Sequence, residues 1–137
     1  MKGFGPIRSK LKLGSVFDEK FFFFILIASL LAGCSSNASY ENVSIDEAKE
    51  LIDANKVTVI DVRSEDEFYE GHIPGAKLIP LPELEDRLDE LDKDQHYLII
   101  CRSGNRSAQA SEILIENGFK HVSNVEKGMN EWKYEIE

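Results

Sequence analysis

Short apolar runs alternate with amphipathic segments along residues 44–125, and this alternation constrains the fold more than any other feature of the chain. The run 97–100 is apolar throughout, as is usual for a parallel strand that is buried on both faces. Strands that alternate with helices predict an α/β fold, in which a mostly parallel sheet carries helices on both faces. The strands are expected at residues 57–60, 78–79, 97–100 and 122–125, and the helices at 44–55, 64–69, 84–91 and 107–117.

Local signals at the helix ends support this assignment. Ser44 and Glu47 have the spacing of a capping box, in which the N-cap hydroxyl and the carboxylate three residues later bond to each other's backbone N–H groups. Ser64 and Glu67 repeat the pattern, and Gly118 stands where the last helix is expected to end.

The first third of the chain has a different composition. Residues 1–20 carry five basic residues against Asp18 and Glu19, and residues 21–32 contain no charge. Twelve uncharged positions are too few for a membrane-spanning helix, which needs about 20 apolar residues, but they suit the apolar region of a signal peptide. The end of this run and the two residues after it, Leu31-Ala32-Gly33-Cys34, resemble a bacterial lipobox.

We therefore expect residues 1–33 to be a lipoprotein signal peptide that is cleaved, and Cys34 to be lipidated. Residues 34–40 would form a flexible tether and residues 41–137 the folded domain. Two acyl chains on Cys34 would anchor the protein stably to a bacterial membrane on its extracytoplasmic side. The alternative is an ordinary secretory signal with a chance cysteine at its cleavage site.

Charge and cysteine content narrow the function classes. The chain has 16 Lys and Arg against 25 Asp and Glu, so its net charge of −9 argues against a nucleic-acid partner. A bound anion would have to be held by local dipoles and particular arginines. Cys101, His96 and His121 show no metal-ligand spacing, so we expect neither a metal nor a cofactor. Nothing in the pattern suggests an obligate interface, and we expect a monomer.

Cys101 directly follows the apolar strand, and Gly104 and Arg106 come before the next helix. This position is the carboxyl edge of a parallel sheet, where ligands usually bind. Inward-facing N–H groups of the loop and the helix N-terminus would stabilise a thiolate on Cys101. Arg106 and Arg102 could bring guanidinium groups to an anionic substrate. The alternative is a structural cysteine that ends a buried strand, with two solvated arginines.

Three motifs resemble the rhodanese-like sulfurtransferase family over residues 41–134. Cys101 to Arg106 fits the family's active loop, C-x-x-G-x-R, and residues 128–132 fit its C-terminal G-x-x-x-W, with Lys127 where the family has another glycine. The upstream signature is matched by Asp61-Val62-Arg63, by Glu67-Phe68 and by residues 71–76, Gly-His-Ile-Pro-Gly-Ala. The resemblance implies a three-layer rhodanese-like fold with a central five-stranded, mostly parallel sheet.

The same resemblance implies a sulfurtransferase in which Cys101 is the catalytic residue and carries a persulfide. The donor would be a small sulfur-containing anion, such as thiosulfate or polysulfide, or a protein persulfide, and the acceptor a thiol or a cyanide-like nucleophile. Supporting ion pairs are expected at Asp61, Arg63 and Glu67, and a backbone hydrogen bond at His72. The active loop that holds the substrate would consist of Arg102, Ser103, Gly104, Asn105 and Arg106.

Two other functions are possible on this fold. A phosphatase or arsenate reductase would have a C-x5-R loop, but here Arg106 comes one residue earlier, and the smaller loop suits a single sulfur atom better than a tetrahedral oxyanion. A non-enzymatic binding or sulfur-carrier module, working with a partner protein, is the other alternative. The presence of both Cys101 and Arg106 argues against a module that only binds.

Overall fold

The computed structural model describes residues 39–137. The predicted signal peptide, Cys34 and most of the predicted tether lie outside these residues. None of the helices within residues 39–137 combines the length and the apolar character needed to cross a bilayer.

The described residues form five strands and three α-helices. The strands are β1 (Glu41–Val43), β2 (Thr58–Asp61), β3 (Lys77–Leu78), β4 (His96–Ile100) and β5 (His121–Val125). The α-helices are α1 (Ile45–Asp53), α2 (Glu65–Tyr69) and α3 (Asn105–Glu116), and the 3-10 helices span Leu81–Glu83, Glu85–Glu90 and Gly128–Asn130.

The strands form one sheet in the order β1-β5-β4-β2-β3, and all of its strand pairs are parallel. The prediction of a five-stranded, mostly parallel sheet is therefore confirmed. Strand β4 lies at the centre, and Ile100 at its carboxyl end pairs with Asp61 at the end of β2. The loop after β4 consequently opens at the middle of the sheet's carboxyl edge.

Alternate side chains of β4 enter two separate cores, one on each face of the sheet. Ile99 belongs to a buried cluster that includes Leu114 of α3, whereas Leu98 belongs to a second cluster that includes Ala48 of α1. All four side chains are fully buried. Burying a large aliphatic side chain contributes about 1.5–3 kcal/mol, so the apolar strand holds the two helix layers together.

The structure differs from the sequence-based prediction in three elements. Helix α3 begins at Asn105 and not near residue 107, so Asn105 and Arg106 lie in its first turn and not in the loop before it. Strand β1 is absent from the prediction because its residues Glu41 and Asn42 are exposed and polar. The strand is defined by its backbone pairing with β5, and its last residue, Val43, is buried.

The helix expected at residues 84–91 is instead the 3-10 helix Glu85–Glu90, and a second 3-10 helix, Leu81–Glu83, precedes it. Leucine spacing does not distinguish the two helix types. Leu84, between the two 3-10 helices, is fully buried.

The first capping box makes a stability prediction. The Ser44 hydroxyl accepts a hydrogen bond from the Glu47 backbone N–H, and the Glu47 carboxylate accepts one from the Ser44 N–H. We expect Ser44→Ala to lower the free energy of unfolding by about 1 kcal/mol, because the Glu47 N–H in the first turn of α1 loses its side-chain acceptor. Urea denaturation would measure this. Ser44→Asn keeps a side-chain acceptor and should stay near wild type, and an equal loss in both variants would contradict the capping explanation.

Candidate active site

Cys101 lies at the carboxyl end of β4, and its side chain is fully buried. The chain then turns through Gly104, which has φ of 96° and is the N-cap of α3. This left-handed conformation is one that a residue with a Cβ rarely adopts, and it directs the Gly104 N–H at the sulfur, with N 3.1 Å from Sγ of Cys101. The turn thus converts a strand end into a small cradle for one sulfur atom.

Two backbone segments pack tightly around this cradle. A Cβ on Gly104 would lie 1.8 Å from the carbonyl oxygen of Glu126, and a Cβ on Gly128 would lie 2.3 Å from that of Cys101. The Met129 N–H also donates to the Cys101 carbonyl, at 2.8 Å. The segment after β5, which contains the predicted G-x-x-x-W motif, therefore supports the active loop from behind.

Burial and hydrogen bonding have opposite effects on the thiol of Cys101. Burial raises its pKa, because desolvation disfavours the thiolate. Hydrogen bonds from the Ser107 hydroxyl and from the backbone N–H groups of Ser107, Gly104 and Ser103 outweigh this effect, so the pKa lies below its ordinary value. The cradle is therefore built to hold negative charge on sulfur.

Arg106, predicted to contact an anion or to brace the loop, makes a bidentate pair with Glu67 in this structure. Its two terminal nitrogens lie 2.7 and 2.9 Å from the carboxylate oxygens of Glu67. Nε of Arg102 donates to the same carboxylate at 2.7 Å. The Arg106 guanidinium holds the pKa of Glu67 well below its usual range, and the carboxylate raises the pKa of Arg106. Both arginines of the loop are thus already paired with an acid.

Glu67 also closes the second capping box. One of its oxygens accepts hydrogen bonds from the N–H and the hydroxyl of Ser64, each at 3.1 Å. The same carboxylate that caps α2 therefore also binds the two arginines that follow Cys101. The spacing Ser64 to Glu67 predicts the cap, but the link to Arg106 arises only in the folded chain.

Asp61 and Arg63 form a buried bidentate pair at the end of β2. The terminal NH2 nitrogen of Arg63 lies 2.7 Å from Asp61 and 2.9 Å from the carbonyl oxygen of Gly71. The pair thus joins the end of β2 to the turn that follows α2. It is part of the frame around the loop and makes no hydrogen bond to Cys101.

His72 lies in that turn, away from the sulfur. Its Nδ1 is 3.0 Å from the carbonyl oxygen of Phe68, and its ring stacks on the Phe68 ring with centroids 3.6 Å apart. The backbone of His72 pairs in both directions with that of Glu137. These contacts support the turn.

Arg102 and Ser103 in the loop and Asn105 at the start of α3 are exposed, and we call these three residues the mouth of the cradle. Sequence reasoning missed Ser107, whose buried hydroxyl lies 3.3 Å from Sγ of Cys101. The available signal was its position, since it directly follows the motif in the first turn of a helix whose N-terminus faces the thiol. Residues 39–137 contain no group of three ligating side chains that could hold a metal ion.

Comparison with known proteins shows which family this chain resembles. The family described as "Rhodanese-like domain" matches residues 44–135. The Bacillus subtilis protein YtwF, named as a candidate sulfurtransferase, is 43% identical over 69% of this chain and 92% of its own length. The thiosulfate sulfurtransferase GlpE of Pseudoalteromonas translucida is 30% identical over 69% of this chain and 90% of its own length.

Two further matches differ in length. YrkF of Bacillus subtilis, named as a candidate sulfur carrier protein, is 40% identical over 72% of this chain, but the match spans only 54% of YrkF. The solved structure of the human single-domain sulfurtransferase TSTD1 has a TM-score of 0.66 and 26% identity, covering 71% of this chain and all of TSTD1.

The Glu67 carboxylate makes a pH-dependent stability prediction. The pKa of Glu67 is lower in the folded state than the ordinary value of 4.5, so folding favours the ionised carboxylate. The contribution of Glu67 to stability is therefore complete above pH 4.5 and declines as the pH falls below that value. We expect Glu67→Gln to lower the free energy of unfolding by about 1–3 kcal/mol at neutral pH. The difference from wild type should narrow at about pH 3.

Urea denaturation at the two pH values would measure this, with Glu83→Gln as the matched control. Glu83 pairs with Arg87 at the surface, and such pairs contribute about 0–1 kcal/mol. Equal losses in the two variants, or a gap between wild type and Glu67→Gln that widens in acid, would refute the special role of Glu67.

Proposed function

The chain belongs to the rhodanese-like domain family, and on that basis we propose that it transfers a sulfane sulfur from a donor to a nucleophilic acceptor through a persulfide on Cys101. The observation that carries the proposal is the state of the Cys101 thiol. It is enclosed in a loop whose N–H groups point at the sulfur and lower its pKa. A thiolate in such a site is a good nucleophile when sulfur is taken from the donor and a good leaving group when sulfur passes to the acceptor.

The proposed reaction has two transfers. The Cys101 thiolate attacks the sulfane sulfur of the donor and forms a new S–S bond, while the bond between that sulfur and the rest of the donor breaks. The departing group keeps the electron pair, so thiosulfate would leave as sulfite. The acceptor then bonds to the outer sulfur, the Sγ–S bond breaks, and its electron pair returns to Cys101. With cyanide as acceptor, the product is thiocyanate and the thiolate is restored.

The charge arrangement bears on the donor. The chain has a net charge of −9, and Glu67 already pairs with Arg106 and Arg102. An anionic donor would therefore be met mainly by loop N–H groups and the N-terminus of α3, together with the exposed part of Arg102. Thiosulfate, polysulfide and a protein persulfide all present a sulfane sulfur that the Cys101 thiolate can attack. The name of GlpE supports thiosulfate as the first donor to test.

The same pairing disfavours phosphatase chemistry. An oxyanion would have to compete for Arg106 with the Glu67 carboxylate, which accepts a hydrogen bond from each terminal nitrogen of Arg106.

We expect thiosulfate to add the mass of one sulfur atom to Cys101 and cyanide to remove it, because the thiolate is the nucleophile in the first transfer and the leaving group in the second. Site-resolved mass spectrometry of the full chain measures this at Cys101 separately from Cys34. Cys101→Ala should abolish both the adduct and thiocyanate production while leaving the fold intact. Normal turnover in Cys101→Ala would show that the nucleophile is another group.

A sulfur-carrier role is the second candidate, favoured by the similarity to YrkF. It predicts that Cys101 accepts sulfur slowly or not at all from small donors and rapidly from a protein persulfide. The same mass measurement with a persulfidated protein donor separates the two functions.

The membrane anchor is part of the proposal. The order of basic residues, an uncharged run at residues 21–32 and Ala32-Gly33-Cys34 supports a lipoprotein that acts outside the cytoplasmic membrane.

Cys34→Ala in the full chain should leave the precursor unlipidated and uncleaved, because the thiol that accepts the lipid is gone. Partition into detergent and mass spectrometry of the N-terminus, after expression in a bacterium that processes lipoproteins, would measure this. Cys101→Ala is the matched control and should be processed normally. An unmodified Cys34 in the wild-type protein would refute the anchor without affecting the sulfur chemistry.

A further inference from the structure

Ser107 makes two hydrogen bonds with only one hydrogen of its own to donate. Its Oγ lies 3.3 Å from Sγ of Cys101 and 3.1 Å from the carbonyl oxygen of Gly104, and both Ser107 and Cys101 are fully buried. A hydroxyl donates once and accepts from up to two partners. The Gly104 carbonyl has no hydrogen to donate. Both contacts are therefore hydrogen bonds at the same time only when the Cys101 thiol donates its S–H to Ser107.

The protonation state of Cys101 decides which neighbour receives the hydrogen. When Cys101 is a thiol, its S–H donates to Ser107, and the Ser107 hydroxyl donates to the Gly104 carbonyl. When Cys101 is a thiolate, it has no hydrogen to give and becomes the stronger acceptor. The Ser107 hydrogen then turns to the sulfur.

The Gly104 carbonyl tolerates this change. It also accepts a hydrogen bond from the Ala108 backbone N–H at 3.1 Å, so it keeps a partner when Ser107 turns away. The hydroxyl can thus alternate between two acceptors by rotation about one bond, without leaving a buried group unsatisfied.

We propose that Ser107 serves the sulfur-transfer cycle by rotating its hydroxyl hydrogen from Gly104 to Cys101 whenever the sulfur carries charge. This inference rests on the proposed function for its catalytic consequence, but not for the hydrogen bond itself. In the persulfide, Sγ is uncharged and divalent, and the hydrogen returns to Gly104. As the acceptor removes the outer sulfur, the electron pair of the breaking S–S bond passes to Sγ, and the Ser107 hydroxyl donates a hydrogen bond to the thiolate that forms. The residue therefore stabilises the leaving group of the second transfer.

Ser111 offers a matched control on the same helix. It is also a fully buried serine, and its hydroxyl donates to the Ser107 carbonyl at 2.8 Å rather than to the sulfur. Replacing either serine by alanine removes one buried hydroxyl from α3 and favours the helix slightly. Only the Ser107 variant removes a donor from Cys101.

Other charges around the thiol are the same in both variants. Near the cradle, the charged groups are Asp61, Arg63, Glu67, Arg102, Arg106, Glu126 and Lys127; the elements packed against Cys101 also carry His96 and Tyr97 on β4, His121 on β5, and Glu112 and Glu116 on α3. A difference in thiol titration between the two alanine variants is therefore due to the hydroxyl.

The first measurement is the pH dependence of iodoacetamide alkylation at Cys101 in the full chain, read by site-resolved mass spectrometry. Ser107→Ala should raise the pKa of the Cys101 thiol by about 1 unit or more, and Ser111→Ala should leave it at the wild-type value. Ser107→Thr, which keeps a hydroxyl, should also keep the low pKa. An unchanged pKa in Ser107→Ala, or an equal rise in Ser111→Ala, overturns the proposal.

The second measurement is the rate at which cyanide discharges the Cys101 persulfide in a single turnover. Ser107→Ala should slow this step about tenfold or more, and Ser111→Ala should not. The two proposals fail separately. A wild-type protein that forms no persulfide refutes the proposed function, whereas the alkylation profile, which needs no sulfur donor, still decides whether Ser107 donates to the thiolate.

Discussion

Close approach of backbone to backbone around Cys101 is the constraint on which the site depends. The loop after β4 lies so near the segment after β5 that neither Gly104 nor Gly128 has room for a Cβ. This proximity lets backbone N–H groups, rather than cationic side chains, surround the sulfur. A backbone dipole is fixed in direction by the fold and needs no flexible side chain to be ordered, so the cradle is formed before any substrate arrives.

That arrangement suits an acidic protein. A thiolate inside a chain of net charge −9 is stabilised at short range by N–H groups and by the N-terminus of α3. The arginines next to it serve mainly to hold the loop, because Glu67 takes up both of them. Glu67 also forms the capping box at the N-terminus of α2 together with Ser64. One carboxylate thus joins helix initiation, loop position and the charge at the mouth of the site.

Several features could be predicted from residues alone because their cause is local. The capping residues Ser44 and Ser64 mark helix starts, and the apolar run 97–100 marks the central strand. Strand β1 could not be predicted, since Glu41 and Asn42 look like a polar linker until β5 supplies backbone partners. The 3-10 helices at residues 81–90 could not be predicted either, because leucine spacing fits both an α-helix and a 3-10 helix.

The sequence by itself determined the α/β class, the place of Cys101 at a strand end and the motif around it. Those properties follow from periodicity and from neighbours in the chain. The tertiary structure alone decided that Arg106 binds Glu67, 39 residues away, and that Glu126 and Gly128 close the back of the loop. It also placed the Ser107 hydroxyl between Cys101 and Gly104. Each of these contacts requires two groups to lie at a particular short separation, which for a hydrogen bond is about 3 Å. Only the packed sheet and helices set those separations.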